Sequence, residues 1–134
     1  VAFFMGVFMV WINASVSFQE NLSQMPEPED VEKIDVVIGG WRSWFRQKDQ
    51  VVATITAETP EWFKLFFYVA STMGELNRIS AQRAFELLAD RGQWVLAHPG
   101  QHPALDCLVE SFSIGKTYDL KIKRHPIQVD KGSV

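Results

Sequence analysis

Residues 31–45, VEKIDVVIGGWRSWF, decide the fold, because they can be parsed in two ways. At three- and four-residue steps, Val31, Ile34, Val37, Ile38, Trp41, Trp44 and Phe45 fall mostly on one helix face. Pro28, Glu29 and Asp30 suit the first turn of such a helix, and Arg42, Arg46 and Lys48 suit its last. The rival parse makes Ile34–Ile38 a strand that turns at Gly39-Gly40. The glycines weigh against the helix, since each costs about 1 kcal/mol in a helix interior. The helix is the preferred parse.

Upstream, residues 19–30 read as an acidic linker containing Pro26 and Pro28, which bias their predecessors away from helix. Acidic side chains accumulate there and just beyond, at Glu20, Glu27, Glu29, Asp30, Glu32 and Asp35, against Lys33 alone. Before the linker, Val1–Phe18 (VAFFMGVFMVWINASVSF) carries no charged side chain. As one helix it would be about 27 Å long, just short of a hydrocarbon core of about 30 Å. The segment is a membrane span or anchor, a buried core element, or a signal remnant. Read as an anchor, its deletion should leave the remainder folded.

Downstream, Val51–Ala57 is rich in β-branched residues and reads as a strand. Thr59-Pro60-Glu61 opens a helix, with Thr as cap and Pro at the first helical position. Trp62, Leu65, Phe66, Val69 and Met73 form its stripe, and Phe63, Phe67 and Tyr68 widen it. Ser80 caps a second helical pattern, which Pro99-Gly100 ends, so Thr59–Asn77 and Ser80–His98 form a helical hairpin. Leu105–Phe112 is ambiguous, and Tyr118–Ile122 alternates as a strand after a turn at Gly115-Lys116. Residues 130–134 read as a frayed tail. The expected fold class is α+β, mainly helical, with a helical hairpin and a small C-terminal β element. Residues 31–134 are expected to form a single globular domain.

Composition narrows the function classes. With 134 residues, 47% of them hydrophobic and 22% charged, the chain can bury a core, which excludes disorder along its length. One Cys excludes a disulfide framework and any multi-Cys metal cluster. A net charge of -3 argues against a nucleic-acid coat. The 5 Trp, 10 Phe and 2 Tyr exceed what a core this small easily hides, so some are expected at a partner surface.

Several motifs suggest chemistry, and each has a plainer explanation. Ser113-Ile114-Gly115-Lys116-Thr117 ends like a phosphate-binding loop, but Glu110 stands where an earlier Gly is needed and a strand follows. A hairpin turn is the better reading. His98, His102, Asp106 and Cys107 have zinc-like spacing, yet Pro99 and Pro103 interrupt any shared helix face. Cys107 lies among Leu105, Leu108 and Val109, as a buried thiol does. Glu58 and Glu61 could pair for acid–base work, but they also fit the start of a helix. The two helical patterns of Thr59–His98 resemble a helix-turn-helix, but Glu86 and Asp90 spoil a DNA-reading face.

The densest basic group is Lys121, Lys123 and Arg124, near Lys116 and His125. Lys121 and Lys123 would project from one strand face, with the acidic 20–35 stretch as an internal or neighbouring counterpart. With Trp41, Trp44 and Trp62, these residues are the expected partner-binding set. The expected function is that of a non-catalytic accessory or structural subunit of a larger assembly, membrane-associated if Val1–Phe18 is a single transmembrane helix and otherwise cytoplasmic. Its partners would be other protein subunits, with membrane contact only through that segment and no role for nucleic acid. No catalytic residue, cofactor or metal is assigned. The alternative is a soluble nucleic-acid-associated regulatory protein.

Overall fold

A computed structural model describes residues 14–38 and 50–126. The element order is α1 (Phe18–Gln24), β1 (Val31–Ile38), β2 (Val51–Ile55), α2 (Pro60–Thr72), β3 (Glu75–Leu76), α3 (Arg78–Leu88), α4 (Gly92–Ala97), α5 (Pro103–Ile114) and β4 (Tyr118–Arg124). A short 3-10 turn, Ala89–Arg91, joins α3 to α4. The four strands form one antiparallel sheet in the order β2-β1-β4-β3.

The helix expected over residues 31–45 is therefore replaced, over Val31–Ile38, by a central strand with a neighbour on each side. The reason is burial on both faces. Ile34 and Val36 point into the main core, while Asp35 and Val37, pointing the other way, are still only 5% and 1% exposed. A strand buried on both faces loses its polar–apolar alternation. Here Val36-Val37-Ile38 runs apolar without a break, and with Val31 and Ile34 it fits helical steps by coincidence. Trp41, Trp44 and Phe45, which supported the helical parse, lie outside the described residues.

The α+β class holds, but the mainly helical fold with a small C-terminal β element does not. The sheet draws on residues from Val31 to Arg124. The helical hairpin is also corrected. Glu75–Leu76 separates α2 from α3 and adds to the sheet by pairing with Asp119 and Tyr118 of β4. The second helical pattern breaks at Ala89, whose φ of 50° lies in the left-handed region. Asn77 rather than Ser80 is the N-cap of α3: its side chain accepts the Ser80 N–H at 2.9 Å, and Ser80 Oγ accepts the Asn77 N–H at 2.8 Å. This is a reciprocal capping box. Leu105–Phe112 resolves as helix, and α5 ends at Gly115 in the left-handed conformation. The frayed-tail segment at residues 130–134 lies outside the described residues.

Cross-strand rows line the core side of the sheet: Ile55–Ile34–Ile122 and Ala53–Val36–Leu120. Against them pack Leu65, Phe66 and Val69 of α2, Leu87 and Leu88 of α3, and Leu105 and Leu108 of α5. Phe63, Phe67 and Tyr68 of α2 are buried too, so this helix is apolar on nearly all sides. Much of the aromatic surplus is spent here.

No helix among the described residues is long and apolar enough to cross a membrane. The single transmembrane helix expected over Val1–Phe18 is overturned. Ser17 has an extended backbone and caps α1, so no helix runs through it to Phe18. Phe18 itself is buried, and its N–H donates to Asp90 Oδ1 at 2.9 Å. Val1–Asn13 lie outside the described residues. Within the stretch expected as a linker, Gln19–Gln24 belongs to α1, and Asn21, Leu22 and Met25 are buried.

Candidate functional site

The face of the sheet turned away from the main core collects the basic residues. Strand alternation puts Lys121 and Lys123 of β4 on that face together with Lys33 and Asp35 of β1. The register sets Lys33 directly opposite Lys123, and Asp35 opposite Lys121. Thr54 of β2 completes the second row, its hydroxyl donating to Asp35 Oδ1 at 2.9 Å. All three lysines are half-buried, and none forms an ion pair with a described residue. Like charges directly opposite across a ladder are destabilising, by a few tenths to about 1 kcal/mol.

Arg124 does not join them. An irregularity between Val31 and Lys33 sets Arg124 opposite Val31. Its Nη1 donates to the Glu29 carbonyl at 3.3 Å. From the acidic 20–35 stretch, Glu27 pairs with Lys64 of α2 at 3.0 Å. Only Asp35 sits in register with the basic face. Further along the same face Glu75 stands opposite Asp119, so charge runs from acidic to basic across the sheet. Lys33 was missed by sequence reasoning. The strand parse of Ile34–Ile38, extended back by one residue, would have placed it beside Asp35.

Trp62 has a packing role. Its ring stacks on Phe18 at 5.6 Å and on Trp94 at 6.3 Å, and His98 stacks on Trp94 at 4.5 Å. The Arg91 guanidinium lies 5.6 Å from the Phe18 ring centre and 5.8 Å from that of Trp62, held by Glu61 at 3.3 Å. The column ties α1, α2 and α4 together, and Trp94 at its outer part is 38% exposed. Trp41 and Trp44 lie outside the described residues.

His98, His102, Asp106 and Cys107 do separate jobs. His98 Nδ1 bonds the Trp94 carbonyl at 2.7 Å. His102 Nδ1 accepts the Ala104 N–H at 3.1 Å, which caps α5. Asp106 accepts the Gly100 N–H at 2.9 Å. Burial pushes the Cys107 thiol above its ordinary range, against a hydrogen bond with Tyr118 that lowers it. Burial also raises the Tyr118 phenol, whose O–H donates to Glu110 at 2.7 Å. Among the described residues no group of three His, Cys, Asp or Glu side chains is placed to hold a metal. Gly115-Lys116 links a helix to a strand rather than turning a hairpin, and Lys116 lies 5.3 Å from the Tyr118 ring centre.

No curated protein and no solved structure matches the chain. A family model matches residues 18–122, from the first residue of α1 to the end of the core-facing row in β4. The chain belongs to the family described as "Uncharacterized protein conserved in bacteria" (DUF2322).

Proposed function

We propose that the protein is a non-catalytic accessory subunit of a larger protein assembly, seated on an acidic partner surface through Lys33, Lys121 and Lys123. The observation that carries this reading is the Lys33–Lys123 pair, two like charges in direct register with Lys121 beside them. A fold gains nothing internally from that arrangement. An acidic side chain placed between the lysines reverses the cost and steers association. The non-catalytic part is supported by how the chemistry-bearing side chains are used: His102 caps a helix, and Cys107 is held as a buried thiol rather than a thiolate.

Gel filtration of the tagged chain from its own bacterial cells, at low salt and after nuclease treatment, tests the reading. The native chain should elute with a protein partner, well above its 15.3 kDa mass. Lys33→Glu, Lys121→Glu and Lys123→Glu together should elute near that mass while keeping the native far-UV spectrum. The gap should close above about 0.15 M salt, where charges are screened beyond about 8 Å. Elution of the native chain alone at low salt, or an unchanged complex in the triple variant, overturns the proposal. Collapse of the complex on nuclease treatment would instead support a nucleic-acid-associated protein.

A further inference from the structure

A second site lies where α1, the start of α2 and the end of β4 line a cleft of about 600 Å³. That is the size of a small-molecule site. Its floor is apolar, formed by edges of Leu22, Val31 and Phe63, whose bodies belong to the core. Its rim carries the carboxylates of Glu27, Asp30 and Glu61. Two of these are already neutralised: Glu27 by Lys64 at 3.0 Å, and Glu61 by Arg91 at 3.3 Å with a further hydrogen bond from Gln19. Asp30 differs. Its backbone is left-handed, with φ 59°, and its carbonyl accepts the His125 N–H at 3.0 Å. Its carboxylate makes no ion pair or hydrogen bond with a described residue. Arg124, which shares a neighbouring hollow with Asp30, directs its Nη1 to the Glu29 carbonyl.

We infer that this cleft binds a small organic cation, an apolar body carrying one ammonium group, with the body on Leu22, Val31 and Phe63 and the ammonium at Asp30. The rim's other two carboxylates are paired, so Asp30 is the carboxylate that sets the sign of the ligand. A carboxylate ligand of the same shape would meet Asp30 while Lys64 and Arg91 are occupied, and it would be rejected by repulsion.

Two isosteric probes test this by amide NMR titration of the full chain: 3-phenylpropylammonium and 3-phenylpropanoate. The ammonium should bind and shift the amides of Leu22, Val31 and Phe63. The carboxylate should bind at least about fivefold more weakly, a ratio that shrinks with added salt. Asp30→Asn tolerates the left-handed backbone, because Asn occupies it readily. It should bring the two probes to the same affinity. Ala57 is exposed at the cleft wall, so Ala57→Phe should fill the cleft and abolish both. Equal affinity of the two probes in the native chain overturns the inference, as does ammonium binding that survives Ala57→Phe. So does the absence of any binding at millimolar probe. The lysine face plays no part in this test, so the two proposals fail separately.

Discussion

His102 caps α5 with a ring nitrogen, and that choice makes the cap sensitive to acid. The Ala104 N–H is accepted by the Nδ1 lone pair, so the ring must carry its proton on Nε2. A second proton removes the acceptor and puts a positive charge at the positive end of the helix. Burial holds His102 below its ordinary 6.5, against the pull of Asp106 in the other direction. A group whose folded value is depressed stabilises the fold above its unfolded value. That stability is lost as pH falls through the lower, folded value. The melting temperature should therefore drop more steeply between pH 7 and pH 5 in the native chain than in His102→Asn, whose amide oxygen caps at every pH. His102→Ala should cost about 0.5–2 kcal/mol at pH 7. Thermal melts across that range check both, and parallel curves for the native chain and His102→Asn would show that the ring is not the acid-sensitive group.

At the scale of elements, α1 shows how a helix of seven residues is held. So short a helix is not stable alone, and tertiary contacts must fix it. Asn21 supplies them: its Nδ2 donates to the Leu87 carbonyl at 2.8 Å, and its Oδ1 accepts the Ser15 N–H at 2.8 Å. Asn21→Ala leaves a buried carbonyl without its donor and should cost about 1–3 kcal/mol in a urea melt. A loss below a few tenths would mean that α1 is held by Phe18 and Leu22 alone. Elements with local signals were legible in the sequence. Pro60 marks the start of α2, and the alternation of Tyr118–Ile122 marks β4. What was hidden depended on distant neighbours. The strand β1 is defined by partners near residues 51–55 and 118–124, and its alternation gives way to an apolar run at Val36-Val37-Ile38. Likewise α1 looked like linker because its anchoring bonds go to α3, far along the chain. The lysine face was half legible: Lys121 and Lys123 were seen, but Lys33 joins them only through the β1–β4 register.

For the whole molecule, the N-terminal elements are part of the core rather than an appendage. Phe18, Leu22 and Met25 all belong to the main hydrophobic cluster. Burying a large apolar side chain contributes about 1.5–3 kcal/mol. Removing three of them takes a large share of a stability that is typically about 5–15 kcal/mol. A chain that begins at Glu27 should therefore lose its cooperative melt and aggregate. Retention of the full far-UV signal and melting temperature in that truncation would show that the sheet and α2–α5 suffice. This reverses the expectation that deleting Val1–Phe18 leaves the remainder intact, because Phe18 is itself one of the three.

The place of β1 between β2 and β4 has a consequence for biosynthesis. Ribosomes deliver the chain from its N-terminus, and one neighbour of β1 follows it closely while the other is the last strand of the sheet. At roughly 5–20 residues per second, translation takes on the order of ten seconds to travel from the end of β1 to the end of β4. For that interval the nascent chain carries an apolar strand with one bare edge, which invites pairing with other chains. A chain cut short before Tyr118 lacks β4, the strand that joins β1 to β3, and could never complete the sheet however long it waited.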